Sequence, residues 1–356
     1  MNKLFIHIGT YKTGSTAIQE WLGINSDYLK KNDILYIPKS ENFLRRTMDR
    51  GDANCNYVEL KNVRQILLKA AKKKNNKTIV ISSEHLSGGP RFGYIDSLTI
   101  AKTMKDITDS LNLQVFIIVY LRRQDNFFES LYTELIHSGE AYDFKFFLKE
   151  YGSNEFNWYN LLNNYARIFG KENMIVRSYD KLYLKDSESI YKDFGDIIGI
   201  PPDIMNKFKT PEKINIGYSR DALETARICN KFYSEKDKKI VRIILQSSNS
   251  KNIFENYPYF TQEERKQFIS KYCESNDKVL NEYFVNHKGK LFSELENVAD
   301  IYEGFNLEKL TKVIMNIEIN NYRQNQLNSR LLRFIINSEG HLKNIFKKIF
   351  RHKLKF

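Results

Sequence analysis

Leu4-Phe5-Ile6-His7-Ile8-Gly9-Thr10-Tyr11-Lys12-Thr13-Gly14-Ser15-Thr16 joins a short apolar run to a glycine-bearing bend and then to a helix-period stretch beginning at Thr16. A run of that length, rich in β-branched and aromatic residues, reads as a strand buried on both faces, with His7 a core histidine inside it. The pattern recurs at Ile34 to Ile37, Thr78 to Ile81, Val115 to Tyr120 and Met174 to Val176. Helical patterns lie between the runs: Thr16 to Lys31, Tyr57 to Lys73, Ile95 to Leu111 and Asn126 to His137. Strands alternating with helices predict βα units and therefore an α/β fold with a central parallel sheet.

After Ile200-Pro201-Pro202 the strand signals fade, and long helical stretches follow from Ser219 to Tyr233, Thr261 to Phe284 and Leu307 to Ile336. Thr261-Gln262-Glu263-Glu264 is a capping box, with the Thr261 hydroxyl placed to accept from the Glu264 N–H. The expected organisation is one α/β domain over 1–335, helical from about residue 203, and a tail over 336–356. That tail sets Leu342, Ile345, Phe346, Ile349 and Phe350 at helical spacing among basic residues. Such a helix suits an anionic membrane surface, or docks its apolar face on the body.

The chain has 356 residues, of which 42% are hydrophobic and 13% aromatic, enough to bury a core and to exclude a disordered protein. Its net charge of +13 favours anionic partners, and six of the positive charges sit in the last sixteen residues without an acid among them. Three cysteines, Cys55, Cys229 and Cys273, form no CxxC pair, so neither a disulfide framework nor a zinc knuckle is expected. No His, Cys and acidic group has metal-ligand spacing. No stacking-aromatic and basic module of a nucleic-acid binder is present either. There is no uninterrupted apolar run of about 18 residues and no secretory leader pattern, which predicts a cytoplasmic protein.

The bend after the first strand is the most informative segment. Ligands of open parallel sheets bind beyond the carboxyl ends of strands. Glycines turn backbone N–H groups toward an anion, the following helix adds its positive end, and Ser15 and Thr16 supply hydroxyls. An ordinary strand-to-helix turn needs the glycine and the serine but has no use for a lysine inside the bend. The nucleoside-triphosphatase pattern GxxxxGK[ST] is excluded, because there the lysine follows the second glycine and here Lys12 precedes Gly14.

Lys12-Thr13-Gly14-Ser15-Thr16 resembles the 5′-phosphosulfate loop, K-[ST]-G-[ST]-T, of sulfotransferases that use 3′-phosphoadenosine 5′-phosphosulfate (PAPS). The resemblance extends by motif order over about the first 220 residues, and the Tyr272 to Phe284 segment resembles bacterial members. It implies a P-loop-like three-layer domain, with a central parallel sheet and helices on both faces. It further implies that Gly9, Thr10, Tyr11, Lys12, Thr13, Gly14, Ser15 and Thr16 hold the 5′-phosphosulfate. Lys12 would pair with the bridging oxygen that becomes negative as the S–O bond breaks.

The donor's 3′-phosphate needs a separate site. Val119-Tyr120-Leu121-Arg122 ends the fourth strand and Ser130 follows Arg122 by eight residues, the spacing at which that family places an Arg and a Ser. A guanidinium and a hydroxyl so spaced can converge on one phosphate, with Arg122 or Arg123 facing it. Tyr179, in Val176-Arg177-Ser178-Tyr179-Asp180, matches the family tyrosine that contacts adenine. The segment Lys213 to Ser219 is the place for a late loop over the 3′-phosphate, with Ser219 capping the next helix.

Transfer to a hydroxyl needs a base, and Glu84 or His85 after the third strand provides one. Adjacent residues on an extended segment point opposite ways, so only one would face the cleft, and Ser82 shares the face of Glu84. His137 is expected at the surface. Together these readings imply a sulfotransferase without a metal cofactor that acts on a glycan or other hydroxyl-bearing acceptor. A bacterial envelope or capsular glycan made at the inner membrane fits the basic tail. The competing classes are a phosphotransferase and a non-catalytic anion-binding protein at a membrane surface.

Overall fold

The apolar runs found in the sequence are the strands of one five-stranded sheet. The computed structural model describes residues 2–38, 57–72, 77–186, 188–211, 218–246, 259–284, 289–295, 306–323 and 325. The strands are β1 (Asn2–His7), β2 (Ile34–Ile37), β3 (Thr78–Ser82), β4 (Leu113–Leu121) and β5 (Met174–Ser178), in the spatial order β2-β3-β1-β4-β5. All pairings are parallel, with Phe5 beside Val80 on one side and Phe116 on the other.

The helices are α1 (Ser15–Ile24), α2 (Ser26–Lys31), α3 (Tyr57–Ala71), α4 (Ser97–Thr108), α5 (Gln124–His137), α6 (Phe144–Tyr151) and α7 (Trp158–Phe169). They continue with α8 (Ser189–Ile198), α9 (Pro202–Met205), α10 (Arg220–Cys229), α11 (Glu235–Gln246), α12 (Gln262–Ser270) and α13 (Cys273–Tyr283). A further helix runs over 307–323. The residues after 325, which include the basic tail, lie outside the described residues, as do 213–217 of the expected late loop.

Side-chain alternation divides the core into two layers about the sheet. On one face Phe5, Tyr36, Val80, Ile118 and Tyr120 cluster with Ile18, Trp21 and Leu22 of α1, Leu29 of α2 and Ile190, Phe194 and Ile198 of α8. On the other face Leu4, Ile6, Ile79, Ile81, Ile117, Val119 and Leu121 are equally buried. There α7 packs on β4 and β5, and α4 packs on α7. Each fully buried aliphatic or Phe side chain contributes about 1.5–3 kcal/mol, so α1 is held by its Ile18-Trp21-Leu22 stripe.

The helix expected over Thr16 to Lys31 is broken at Asn25. Its buried amide donates to the carbonyls of Trp21 and Lys209, both at 2.9 Å, and accepts from Lys209 N–H at 2.8 Å, competing with the helical ladder. The stretch expected as one helix from Thr261 to Phe284 is likewise two, α12 and α13, parted at Lys271 and Tyr272. The capping box forms as expected: Thr261 N–H reaches Glu264 Oε2 at 2.8 Å and Glu264 N–H reaches Thr261 Oγ1 at 3.1 Å. Ser219 caps α10 by accepting from Ala222 N–H at 3.3 Å.

The chain divides into two compact units. One, Met1–Glu134 with Tyr142–Ile214 and Pro258–Tyr302, contains the sheet. The other, Leu135–Ala141 with Asn215–Tyr257 and Glu303–Phe356, is helical in its described residues. In that second unit the His137 ring stands edge-on to Tyr218 with centroids 4.3 Å apart, so His137 is partly buried packing rather than the surface residue expected. Among the described residues no helix is long and apolar enough to cross a membrane.

In the strand order β2-β3-β1-β4-β5, the chain leaves β1 toward β2 and leaves β4 toward β5. The carboxyl ends of β1 and β4 therefore flank the topological switch point of the sheet, where a crevice opens in folds of this kind.

Candidate active site at the β1 and β4 ends

The bend after β1 is shaped by its pairing with β4. Ile8 N–H donates to Ile118 O at 3.0 Å, Tyr120 N–H to Gly9 O at 2.6 Å and Thr10 N–H to Tyr120 O at 3.0 Å, so the chain stays tied to β4 through Thr10. Gly9 has φ of 96°, and a Cβ there would lie 3.1 Å from the Glu84 Cα, so the close approach of the β3 end requires glycine. Lys12 at φ 61° and Gly14 at φ 80° turn the chain through the left-handed region into α1. Gly14 is the N-cap of α1, and no side chain caps that helix. The N-cap glycine thus offers the first N–H groups of α1 no side-chain acceptor, and they stand at the positive end of the helix dipole.

The loop hydroxyls play parts that the sequence does not announce. Thr13 Oγ1 donates to Thr10 O at 2.7 Å and Ser15 Oγ to the same carbonyl at 3.4 Å, while Thr10 Oγ1 donates to Tyr120 O at 3.2 Å. These three bonds hold the bend closed. Thr16 is exposed.

Two cations converge on this bend. The Lys12 ammonium pairs with Glu134 Oε2 of α5 at 3.2 Å, and the two side chains are 29% and 35% exposed. Arg122 Nη1 donates to Lys12 O at 3.1 Å, and its guanidinium lies 5.9 Å from the centre of the Tyr179 ring. Tyr179 in turn packs on the bend, because a Cβ on Gly14 would meet its Cε2 at 3.2 Å and Ile190 Cδ1 at 2.7 Å. Burial pulls the Arg122 guanidinium below its ordinary range, against the opposing pull of Tyr179, Asp125 and Glu129.

Arg123 is engaged otherwise. It forks onto Asp125 at 2.7 and 3.0 Å and reaches the carbonyls of Ser293 at 2.8 Å and Glu294 at 3.2 Å. Of the two neighbours, Arg122 is the one beside the bend. Ser130 is partly buried on α5, one turn before Glu134 and on the same helix face. No hydrogen bond joins Ser130 to Arg122 among the described residues.

The other end of the bend meets Glu84 and His85. The expectation that these two point opposite ways on an extended segment does not hold. β3 ends at Ser82 and the chain enters a 3₁₀ turn over Glu84–Ser87, closed by Leu86 N–H to Ser83 O at 3.1 Å. Consecutive side chains in such a turn diverge by about a third of a revolution rather than half, and both approach the bend. Glu84 lies against Gly9 and accepts from Gln19 Nε2 at 3.0 Å, while that amide also lies 3.4 Å from Ser82 Oγ. His85 Nδ1 shares a hydrogen bond with the Tyr11 hydroxyl, the two rings being edge to face.

His7 ends β1, paired in register with Ser82 of β3. Its Nδ1 bonds Ser82 Oγ at 2.8 Å, its ring packs edge-on against Tyr120 and Phe194, and its Nε2 has no hydrogen-bond partner among the described residues. Burial lowers its pKa to about 4 although the Glu84 carboxylate pulls the other way, so the imidazole is neutral at ordinary pH. Tyr94, at φ 62°, is buried with its hydroxyl beside Thr10 and Tyr11, and burial raises its pKa. Gln19, Tyr94 and Glu134 were not singled out from the sequence. The only signal for Glu134 is its spacing of four from Ser130.

Fold and site together define an α/β protein with a cationic, glycine-bearing bend at the switch point of a parallel sheet. No family model matches the chain. Over 189 residues it is 29% identical to an uncharacterized protein of Archaeoglobus fulgidus, a match that covers 52% of this chain and 51% of that protein. The matched stretch is thus about half the length of that relative. Among solved structures, a sulfotransferase from Alicyclobacillus acidocaldarius is similar at a TM-score of 0.39 and 15% identity, over 65% of this chain and 94% of that one.

Proposed function

We propose that the chain is a sulfotransferase that takes a sulfuryl group from 3′-phosphoadenosine 5′-phosphosulfate and passes it to a hydroxyl of an acceptor, a glycan in our reading. The observation that carries the proposal is the convergence of Lys12 and Arg122, from the ends of two neighbouring strands, on one bend that feeds an uncapped helix N-terminus. A donor with a phosphosulfate at one end of a ribose and a phosphate at the other calls for such a pair of separated cationic positions.

In this reading the N–H groups at the start of α1 and the bend from Gly9 to Thr16 hold the 5′-phosphosulfate. Arg122 holds the 3′-phosphate with Ser130, and Tyr179 meets the adenine. Bound donor supplies the activated sulfuryl group. Lys12 neutralises the bridging oxygen as its bond to sulfur breaks, and the acceptor oxygen forms its own bond to sulfur on the opposite side. Glu84 or His85 takes the proton of that acceptor hydroxyl, and adenosine 3′,5′-bisphosphate departs with the electron pair of the broken bond. We place the enzyme in a bacterial cytoplasm, at the inner membrane where envelope or capsular glycans are made.

Calorimetric titration without added metal tests the proposal. Adenosine 3′,5′-bisphosphate is expected to bind more than about tenfold tighter than 5′-AMP, since one charge-assisted contact is worth about 1.5–3 kcal/mol. Preference for ATP, or no binding of the bisphosphate, contradicts it.

A further inference from the structure

Among the described residues Lys12 pairs with a carboxylate that no step above uses. Glu134 stands on α5, one turn beyond Ser130, and reaches back to the lysine at 3.2 Å. Both side chains are about a third exposed, so water screens the pair and its worth is that of a surface salt bridge. The buried pairs of the same helix are different in kind: Asp125 is fully buried against Arg123 and Arg265. The Lys12–Glu134 contact is thus strong enough to place the ammonium and weak enough to be broken.

An anionic group arriving at Lys12 must part it from Glu134 or else lie beside a carboxylate of like charge, which costs energy at such separations. A ligand with a single anionic group has only Lys12 and the start of α1 to offset that cost. One that also engages Arg122, which is hydrogen-bonded to the Lys12 carbonyl and has no acidic partner among its described hydrogen bonds, has a second source of binding energy. Resting on the donor reading above, we propose that Glu134 is a competing counter-ion: it occupies Lys12 in the ligand-free protein and lowers the affinity of every anion that reaches the lysine, so that a ligand needs a second contact, to Arg122, to offset the cost.

The test is a titration of wild type, Glu134→Gln, Lys12→Ala and the double variant with adenosine 3′,5′-bisphosphate and with inorganic pyrophosphate. Glu134→Gln is expected to tighten both ligands by about threefold to tenfold, the range of a screened ion pair together with a relieved like-charge contact. The gain is expected to shrink in the Lys12→Ala background to what the relieved like-charge contact alone gives. Binding by Glu134→Gln equal to or weaker than wild type overturns the inference and leaves the donor reading standing. A gain of the same size without Lys12 also overturns it, since the carboxylate then acts through general charge alone. If pyrophosphate binds and the bisphosphate does not, the donor reading fails, and the gain for pyrophosphate decides the role of Glu134. If neither ligand binds to any of the proteins, both fall.

Discussion

At the end of β4 two arginines stand side by side. Arg123 forks onto a buried aspartate and two backbone carbonyls. The Arg122 guanidinium makes one hydrogen bond among the described residues, to the carbonyl of Lys12, and rests over a tyrosine ring. The contrast extends to their surroundings. Asp125 also receives Arg265, whose other nitrogen donates to Glu129 at 2.7 Å, and Glu129 accepts the N–H groups of Tyr259 at 2.7 Å and Phe260 at 3.2 Å. Burial alone would raise the Asp125 carboxyl, but the two guanidiniums outweigh it and hold it below its usual range. At Glu129 burial prevails and the carboxyl is pushed up despite Arg265 and the two N–H groups. Around Lys12, by contrast, the ion pair is open to water and the start of α1 is uncapped. Charge already matched inside the protein holds the fold; charge loosely matched at a strand end is open to a ligand.

The sharpest way to break that contrast is to remove a charge from each side. Asp125→Ala strips Arg265 and Arg123 of a shared buried partner and is expected to cost about 3–5 kcal/mol, read as a lower midpoint in denaturant. Lys12→Ala is expected to leave that midpoint within about 0.5 kcal/mol. In the sulfotransferase reading its expected effect is on turnover, a fall of about 10²- to 10³-fold, the usual cost of a lost oxyanion-stabilising group. A loss of stability in Lys12→Ala as large as in Asp125→Ala would place both lysine and aspartate in the fold.

The third effect is on pH. His7 has its folded pKa depressed to about 4 from an ordinary 6.5, so between those values the unfolded chain binds a proton that the folded chain does not. The contribution of the neutral His7 to stability is therefore full above pH 6.5 and is lost as the pH drops toward 4, by about 3 kcal/mol in all. A His7→Gln variant is expected to lack that slope in denaturation midpoints over the same window, and an unchanged slope would assign it elsewhere. The smallest effect sharpens the comparison directly. Arg122→Ala is expected to weaken adenosine 3′,5′-bisphosphate about 10- to 100-fold in calorimetry, with stability altered by less than about 1 kcal/mol.

Much of this was legible in the chain because buried strands and glycine bends leave strong marks. The strands are short apolar runs whose positions the sheet reproduces to within a residue or two, since a strand covered on both faces admits little else. Lys12 between two glycines marks a bend that carries a cation. What escaped reading depended on contacts between distant segments. Asn25 breaks a helix through the backbone of Lys209, which local periodicity does not contain. The 3₁₀ turn after β3 overturned the expected opposition of Glu84 and His85, because its bond pattern follows from how the chain leaves the sheet. Glu134 looks like any solvated helix glutamate until the fold brings it to Lys12. That Arg122 rather than Arg123 lies beside the bend likewise depends on the positions of Asp125 and of the Ser293 carbonyl.

The most direct test is hydrogen exchange in the segment from Gly9 to Ile24, with and without saturating adenosine 3′,5′-bisphosphate. If the start of α1 receives the 5′-phosphate, the amides of Gly14 to Ala17 slow on binding, and the slowing is lost in Arg122→Ala at the same ligand concentration. Unchanged exchange in that segment while the ligand is bound, with protection elsewhere, would contradict the placement of the site at the β1 end.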